Sequence, residues 1–486
     1  MTSETVNKAL LRMLMSASKT INSLPFPGKT SPNLGDYVRK EIAAAACEEK
    51  EAIIETLSTK KYLRNTRSVA SQNNKHIRKS VKKDVQEIAS DIDPLLIQAT
   101  VFAGNNFLYP ATLDNIIVNE KDVGAIHSIK KAAQEGVVVF FPNHPTHLDS
   151  MIDVRVLYQQ VPEAYPQFCA GYTVSGGISR EFLKKMGAWF ISRGAGKEHI
   201  GLQQLYIAYS LLAGQHSLVY LQGGRSYNGE FNKEGNGAGM MQAILELSKS
   251  MRQRGEKRKI YFVPITKSNS FITEDIEMMV CAEHDVKGGQ TDLAGSTFSR
   301  LNQEHLITSK ADTPIYYSFH SPLDAEGFIV DNINNRYAQH ISNLMIDLIA
   351  HPRTIPPLPV ISAAIRDLQR DKRNQSTNKY TLSEIANRTK LYAAVLLKDN
   401  ANLSHHFDSD IRELVRKNVE EYFKRRRILI QTEDHEYILT ENGLRSIISN
   451  SNMYIDLFPE SLQERLGLKE TELKIPDQIT RPPLYH

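Results

Sequence analysis

Cysteine is scarce in this sequence: Cys47, Cys169 and Cys281 are the only three in 486 residues. An odd, widely scattered set excludes a disulfide framework and fits a reducing compartment. Long apolar runs are missing too, since no stretch approaches the ~20 apolar residues that a membrane-spanning helix needs. Neither sign of charge dominates. With 59 basic residues against 55 acidic ones, the formal net charge of +4 is too small to specify a polyanionic partner. No His-Glu-x-x-His occurs, and neither Ser175 nor Ser226 stands in a Gly-x-Ser-x-Gly elbow, so the zincin and serine-hydrolase signatures are absent. Residues 194–197, Gly-Ala-Gly-Lys, look like part of a phosphate loop but lack its upstream glycine and the Ser or Thr after the lysine.

What is present describes a multidomain globular chain. Hydrophobic residues at 41% and charged residues at 23% are ordinary proportions, and the length accommodates two or three domains. Residues 1–100 predict an N-terminal helical domain: 36–57 and 77–92 carry apolar residues at helical spacing, and 1–24, without a signal-type hydrophobic block, reads as the first helix of a bundle. Residues 101–355 alternate short apolar runs (168–172, 189–192, 217–221, 260–265, 315–319) with helical stretches (202–212, 240–251). That alternation predicts an α/β domain with a mixed or mostly parallel sheet flanked by helices. A proline-rich hinge at 352–359 marks the boundary of a mainly helical C-terminal region, 356–486. There, 411–426, 428–431, 437–440 and a helix from 441 form a winged-helix-like outline, so nucleic-acid binding through the basic run at 424–427 stands as a rival function. The basic runs at 75–83, 252–259 and 424–427 otherwise read as solvated faces able to touch anionic lipid.

The chemistry concentrates after one strand. Residues 136–141, Gly-Val-Val-Val-Phe-Phe, have the continuous apolar character of a strand buried on both faces of a parallel sheet, and functional groups gather at the carboxyl ends of such strands. His144 and Asp149 follow directly. Two positions five apart within one helix point about 140° away from each other, so the two can pair only if the helix begins between them. Proline is favoured at the first helical position. With Pro145 there, His144 caps the helix or lies just outside it, and Asp149 sits in its second turn. The carboxylate can then reach back to one ring nitrogen, leaving the other to take a proton as a general base. The plainer alternative is a capping histidine and a solvated aspartate. A metal site from His144, His147 and Asp149 fails against the pattern His-x-His-x-Asp-His, which needs histidines where Pro145 and Ser150 stand; no metal is expected.

Three more motifs follow in order. Residues 187–193, Gly-Ala-Trp-Phe-Ile-Ser-Arg, place Arg193 at the end of a short strand. Gln222, Gly223, Gly224, Arg225 and Ser226 follow the strand at 217–221, and Val263, Pro264 and Ile265 follow the apolar run at 260–262. Together with His144-x4-Asp149, these resemble in order and spacing the four blocks of the glycerolipid acyltransferases, in particular the glycerol-3-phosphate and dihydroxyacetone-phosphate acyltransferase branch. The likeness covers 108–323 and resumes at 439–443 and 454–457, where it accounts for the winged outline without nucleic acid.

The resemblance implies the glycerolipid acyltransferase fold. It also implies an O-acyltransferase that moves a fatty acyl group from acyl-CoA or acyl-carrier protein to the 1-hydroxyl of glycerol 3-phosphate, giving lysophosphatidate for phospholipid biosynthesis. Dihydroxyacetone phosphate or lysophosphatidate as acceptor, and an inactive acyltransferase-like binding protein, are the alternatives. His144, held by Asp149, would be the base, with no covalent acyl-enzyme. Backbone amides near Gly223 and Gly224 or at the Pro264 edge would meet the developing oxyanion. Arg193 and Arg225 would hold the phosphate, with Ser226 in the same turn and Lys197 assisting. No cofactor is expected beyond the acyl thioester co-substrate. The implied partners are that donor, the phosphorylated acceptor and a membrane lipid surface, with no nucleic acid, for a peripheral protein on a cytoplasmic leaflet. The chain departs from the family pattern at Gln222, where glutamate is usual, at Tyr227, where many relatives carry a second arginine, and at 145–147.

Overall fold

The computed structural model describes residues 90, 92–103, 116–146, 149–171, 178–191, 197–224, 228–233, 237–253, 255–272, 275–283, 314–372 and 379–466. The helices expected at 36–57 and, but for its last residues, at 77–92 lie outside them. The first elements in chain order are α1 (Pro94–Ala103), β1 (Ile116–Val118), α2 (Val123–Glu135), β2 (Gly136–Pro142), α3 (Asp149–Gln160) and β3 (Gln167–Gly171). Next come α4 (Ile178–Lys185), β4 (Ala188–Ile191), α5 (Lys197–Leu212), β5 (Ser217–Leu218), α6 (Ala238–Gln253) and β6 (Lys259–Asn269). Then follow α7 (Asp275–Glu283), β7 (Ile315–Phe319), β8 (Leu323–Asp324) and α8 (Asn335–Ala350).

These strands form one sheet in the order β1-β7-β6-β2-β5-β3-β4, with β8 beside β6. Pairing is parallel except where β6 meets β7 and β8, so the sheet is mixed and mostly parallel. The period-2 geometry of a strand explains the apolar run of β2: Val138 and Phe140 enter the core on one face, while Val137, Val139 and Phe141 enter the core on the other. Helices α1, α2 and α3 close the first face and α5, α6 and α8 the second. Gly136 lets β2 start this close to β6, since a Cβ there would lie 2.1 Å from the Lys259 carbonyl oxygen.

The expected strand at 260–265 is longer than its apolar run. It continues as β6 through Thr266, Lys267, Ser268 and Asn269, because antiparallel pairing with β7, Ile265 opposite Phe319 through Asn269 opposite Ile315, satisfies its backbone beyond the end of β2. The strand expected at 217–221 pairs in register only over Ser217 and Leu218, although Val219, Tyr220 and Leu221 remain buried.

The C-terminal region is mainly helical: α9 (Pro357–Lys372), β9 (Lys379–Tyr380), α10 (Leu382–Lys398), α11 (Ile411–Asn418) and a π-helical turn at Val419–Phe423, then β10 (Leu429–Gln431), β11 (Tyr437–Leu439), α12 (Glu441–Asn452) and α13 (Glu460–Arg465). Strands β10, β11 and β9 make a small antiparallel sheet, so the winged outline has a third strand. Phe271 and Ile272, which follow β6, and helix α7 pack into this region. Phe271 and Met279 join one of its cores and Ile272 and Met278 the other, and Asp275 receives a two-pronged ion pair from Arg426 at 3.0 and 2.8 Å. The proline-rich stretch is a packed connection: Pro357 opens α9, the Ile355 amide donates to the Asn402 carbonyl at 2.8 Å, and Arg353 is buried.

Candidate active site

Strand β2 ends at Pro142, and the chain leaves the sheet as a loop carrying Asn143, His144, Pro145 and Thr146. Pro145 does not open the helix as the spacing suggested. Proline disfavours helical backbone in the residue before it; His144, Pro145 and Thr146 are all non-helical, and α3 is described from Asp149. Asp149 thereby sits in the first helical turn, where the helix dipole favours a carboxylate. Its Oδ2 lies 2.8 Å from His144 Nδ1 and accepts the Thr146 amide at 2.8 Å. The carboxylate is fully buried, while the imidazole is 19% exposed. The solvated-aspartate alternative is therefore excluded by burial.

A network that the motifs did not announce surrounds this pair. Asp153, one turn beyond Asp149 on α3, is buried, as is Lys267 on β6. The Lys267 ammonium lies 3.2 Å from Asp149 Oδ1 and 2.9 Å from Asp153 Oδ2. Asn143 fixes this end of β6, its Oδ1 accepting the Lys267 amide at 2.7 Å and its Nδ2 donating to the Lys267 carbonyl at 2.9 Å. The hydroxyls of Tyr220 and Tyr317 donate to Asp153 at 2.7 and 3.1 Å. Burial pushes the Asp153 carboxyl above its usual range, and the Lys267 ammonium pulls it partly back. Burial, reinforced by Asp153, pushes both phenols well above theirs, so they remain donors. The Tyr220 ring stacks on the His144 imidazole, with centroids 4.2 Å apart at 21°, and lies 5.3 Å from the Lys267 ammonium. One signal for Asp153 was available, since positions i and i+4 share a helix face; a lysine in the polar continuation of a strand was a weaker one.

Of the other expected residues, Gly223 and Gly224 follow the Tyr220–Gln222 turn. Gly223, at φ +70°, donates its amide to the Tyr220 carbonyl at 3.1 Å, which closes the turn and removes that amide as an oxyanion donor. Gly224 lines the cleft in front of His144. Pro264 is not at an edge: it sits inside β6 opposite Phe141, has no N–H, and its carbonyl accepts the His320 amide at 3.1 Å, so it supplies no donor either. Arg193, Arg225, Ser226, Tyr227 and His147 lie outside the described residues, and Lys197 begins α5. Gln222 has a use of its own. Its Oε1 accepts the His144 amide at 3.0 Å while its Nε2 donates to the Asn232 carbonyl at 2.9 Å, a bridge for which a glutamate has no donor.

The cleft encloses about 450 Å³ counting its open mouth, and Asn143, His144, Gln222, Gly224, Lys267 and Arg353 are among its lining residues. Its far wall comes from the C-terminal region. Arg353 is buried there over the Phe231 ring at 4.0 Å, donating to the Met453 carbonyl at 2.9 Å and to Asp456 at 2.5 Å. In the basic run at 424–427, Lys424 pairs with Glu420, Arg425 with Glu421 and Arg426 with Asp275. These charges close ion pairs within the fold. Among the described residues no group of three or more His, Cys, Asp or Glu is placed to hold a metal ion.

Comparison with known proteins converges on this region. The sequence profile of the Acyltransferase family matches residues 125–268. A glycerol-3-phosphate acyltransferase of Xylella fastidiosa (strain M12) is 31% identical over 185 residues, 37% of this chain and 20% of the relative. One from Xanthomonas axonopodis pv. citri (strain 306) is 28% identical over 148 residues, 29% of this chain and 16% of the relative. The match thus spans about a fifth of those relatives or less. Among solved structures, the 1-acyl-sn-glycerophosphate (LPA) acyltransferase PlsC from Thermotoga maritima aligns over 64% of this chain and 97% of its own, with 13% identity and a TM-score of 0.30, a likeness too loose to define the fold.

Proposed function

We propose that residues 125–268, which match the Acyltransferase family profile, form an acyltransferase domain of the glycerolipid type, and that this chain transfers a fatty acyl group from an acyl thioester to the 1-hydroxyl of glycerol 3-phosphate. The observation that carries the reading is the partly exposed His144 ring at a cleft mouth, anchored through Nδ1 to a buried carboxylate. Such a tether fixes the tautomer, so that Nε2, the nitrogen away from Asp149, acts as the base.

In this reading Nε2 accepts the hydroxyl proton as the alcohol oxygen attacks the thioester carbonyl. Asp149 stabilises the imidazolium that forms. The tetrahedral adduct collapses with cleavage of the C–S bond, and the leaving thiolate takes the proton from the imidazolium. The products are an ester and a free thiol, and the base is regenerated without a covalent acyl-enzyme. Gly224 is the remaining backbone candidate for the oxyanion, and Arg193 and Arg225 remain the proposed phosphate ligands. Because donor and product are amphiphiles, the reading extends to attachment at the lipid surface of a cytoplasmic leaflet; no helix of the described residues is long and apolar enough to cross a membrane.

The test is thiol release from acyl-CoA or acyl-carrier protein with glycerol 3-phosphate, dihydroxyacetone phosphate and lysophosphatidate offered in parallel. Release with glycerol 3-phosphate, lost in a folded His144→Ala variant, is the expected result. Thiol release with none of the acceptors, or an undiminished variant, would refute the reading.

A further inference from the structure

A buried charge survives in a protein only when it is paired, because the interior does not solvate it. Asp149 and Asp153 are adjacent on one face of α3, a like-charge arrangement that is unfavourable by itself, and both are buried with Lys267 beside them. Asp153 accepts from the Lys267 ammonium and from two phenols. Burial, and to a lesser degree the neighbouring Asp149 charge, raise the pKa of that carboxyl, while the donors directed at it, the Lys267 ammonium first among them, draw it back toward the ionised form. Two carboxylates and one ammonium leave one negative charge in excess, next to the ring that must gain a positive one.

We infer that Lys267 is a positioning residue for His144, its ammonium and the Asp153 carboxylate together setting the charge that the imidazole senses through Asp149. Lys267 draws on Asp149 from the side opposite the ring and limits how strongly that carboxylate favours the imidazolium. Asp153 offsets Lys267, so that Asp149 keeps enough negative character to hold and orient the ring. The stacked Tyr220 joins both halves, touching the imidazole with its face and Asp153 with its hydroxyl. Among the described residues, the other charged or titratable groups nearby are Tyr317, also on Asp153, Cys169 beside Tyr220, and the cleft residues Glu230, Arg353 and Tyr454. They are unchanged in the variants below and cancel in the comparison.

The inference rests on the acyl-transfer reading only in taking His144 as the base, and its test has a readout apart from turnover. Full-length wild type, Asp153→Asn and the Lys267→Met/Asp153→Asn double variant, each with ring-labelled histidine, are titrated by NMR. The His144 signal is assigned by its loss in His144→Gln. Asp153→Asn leaves Lys267 unopposed beside Asp149, so the His144 midpoint falls by about one pH unit, the scale of one nearby charge. Removing Lys267 as well returns the midpoint toward the wild-type value. The low-pH limb of thiol release moves with it in both variants.

A role in packing alone predicts no such reversal. An unmoved midpoint in Asp153→Asn, a rise in place of the fall, or a double variant that falls further would overturn the inference. Should Asp153→Asn not be recovered folded, Asp153→Leu removes the same charge and carries the same prediction. Absence of thiol release in wild type would count against the acyl-transfer reading and leave the NMR midpoints to decide on Lys267.

Discussion

Asp149→Asn is the substitution that most directly separates orientation from charge at this site. The amide has the shape of the carboxylate, and its oxygen can occupy the position of Oδ2, still accepting from His144 Nδ1 and from the Thr146 amide, both now at 2.8 Å. Its nitrogen then replaces Oδ1, 3.2 Å from the Lys267 ammonium, where donor faces donor. The variant therefore keeps the ring in place but loses the negative charge that stabilises the imidazolium as the proton transfers. Replacing a charge-assisted hydrogen bond by a neutral one costs about 1–2 kcal/mol. The Coulomb interaction at contact distance in a partly buried site adds up to ~4 kcal/mol, part of it already counted in the hydrogen bond. Taking about 3 kcal/mol as the combined loss, kcat falls roughly a hundredfold, while KM for the acyl thioester, which does not touch Asp149 in this scheme, changes little. The assay is steady-state thiol release at saturating acceptor, with thermal unfolding followed by circular dichroism to show that the variant folds. A folded Asp149→Asn protein with kcat within about threefold of wild type would refute the assignment of His144 as a base supported by this carboxylate.

Two further predictions concern parts of the molecule away from the transfer step. His216 is half-buried directly before β5, its Nδ1 accepting the Val138 amide at 3.0 Å, and desolvation of the ring pushes its pKa down to about 4. Between pH 6.5 and about 4 the unfolded chain binds a proton that the folded chain refuses, so stability falls as pH falls through that window, by roughly 3 kcal/mol in total. His216→Asn, whose side-chain oxygen can take the place of Nδ1, flattens this dependence in urea unfolding at pH 7 and pH 4.5; an equally steep fall in the variant counts against His216 as its source. Attachment to lipid is checked by flotation with anionic liposomes at low salt, where the protein is expected to rise with the vesicles; complete indifference to lipid would remove that part of the proposal.

The sequence by itself determined what depends on near neighbours. The burial of residues 137–141 on alternate faces of the sheet follows from strand geometry and is legible as an apolar run, and the short spacing from His144 to Asp149 restricts how those side chains can meet. Even there one detail depended on context: Pro145 reads as a helix start, yet the helix runs from Asp149, whose carboxylate ties the Thr146 amide and the imidazole together. Gly223 and Pro264 were legible as motif residues, but which amides remain available was not, because that depends on the turn closed by Tyr220 and on the strand that β7 extends.

Only the tertiary structure decided the electrostatics of the site. Lys267 lies more than a hundred residues from Asp149 in the chain, and it reaches the carboxylate because β2 and β6 pair in parallel up to Pro142 opposite Ile265, after which Asn143 clamps the backbone of Lys267. Charged residues look alike in a sequence whether water or protein surrounds them. The energy of a charge is set by what solvates it, and burial of Asp149, Asp153 and Lys267 together is a property of the packed sheet and helix, not of any segment of the chain.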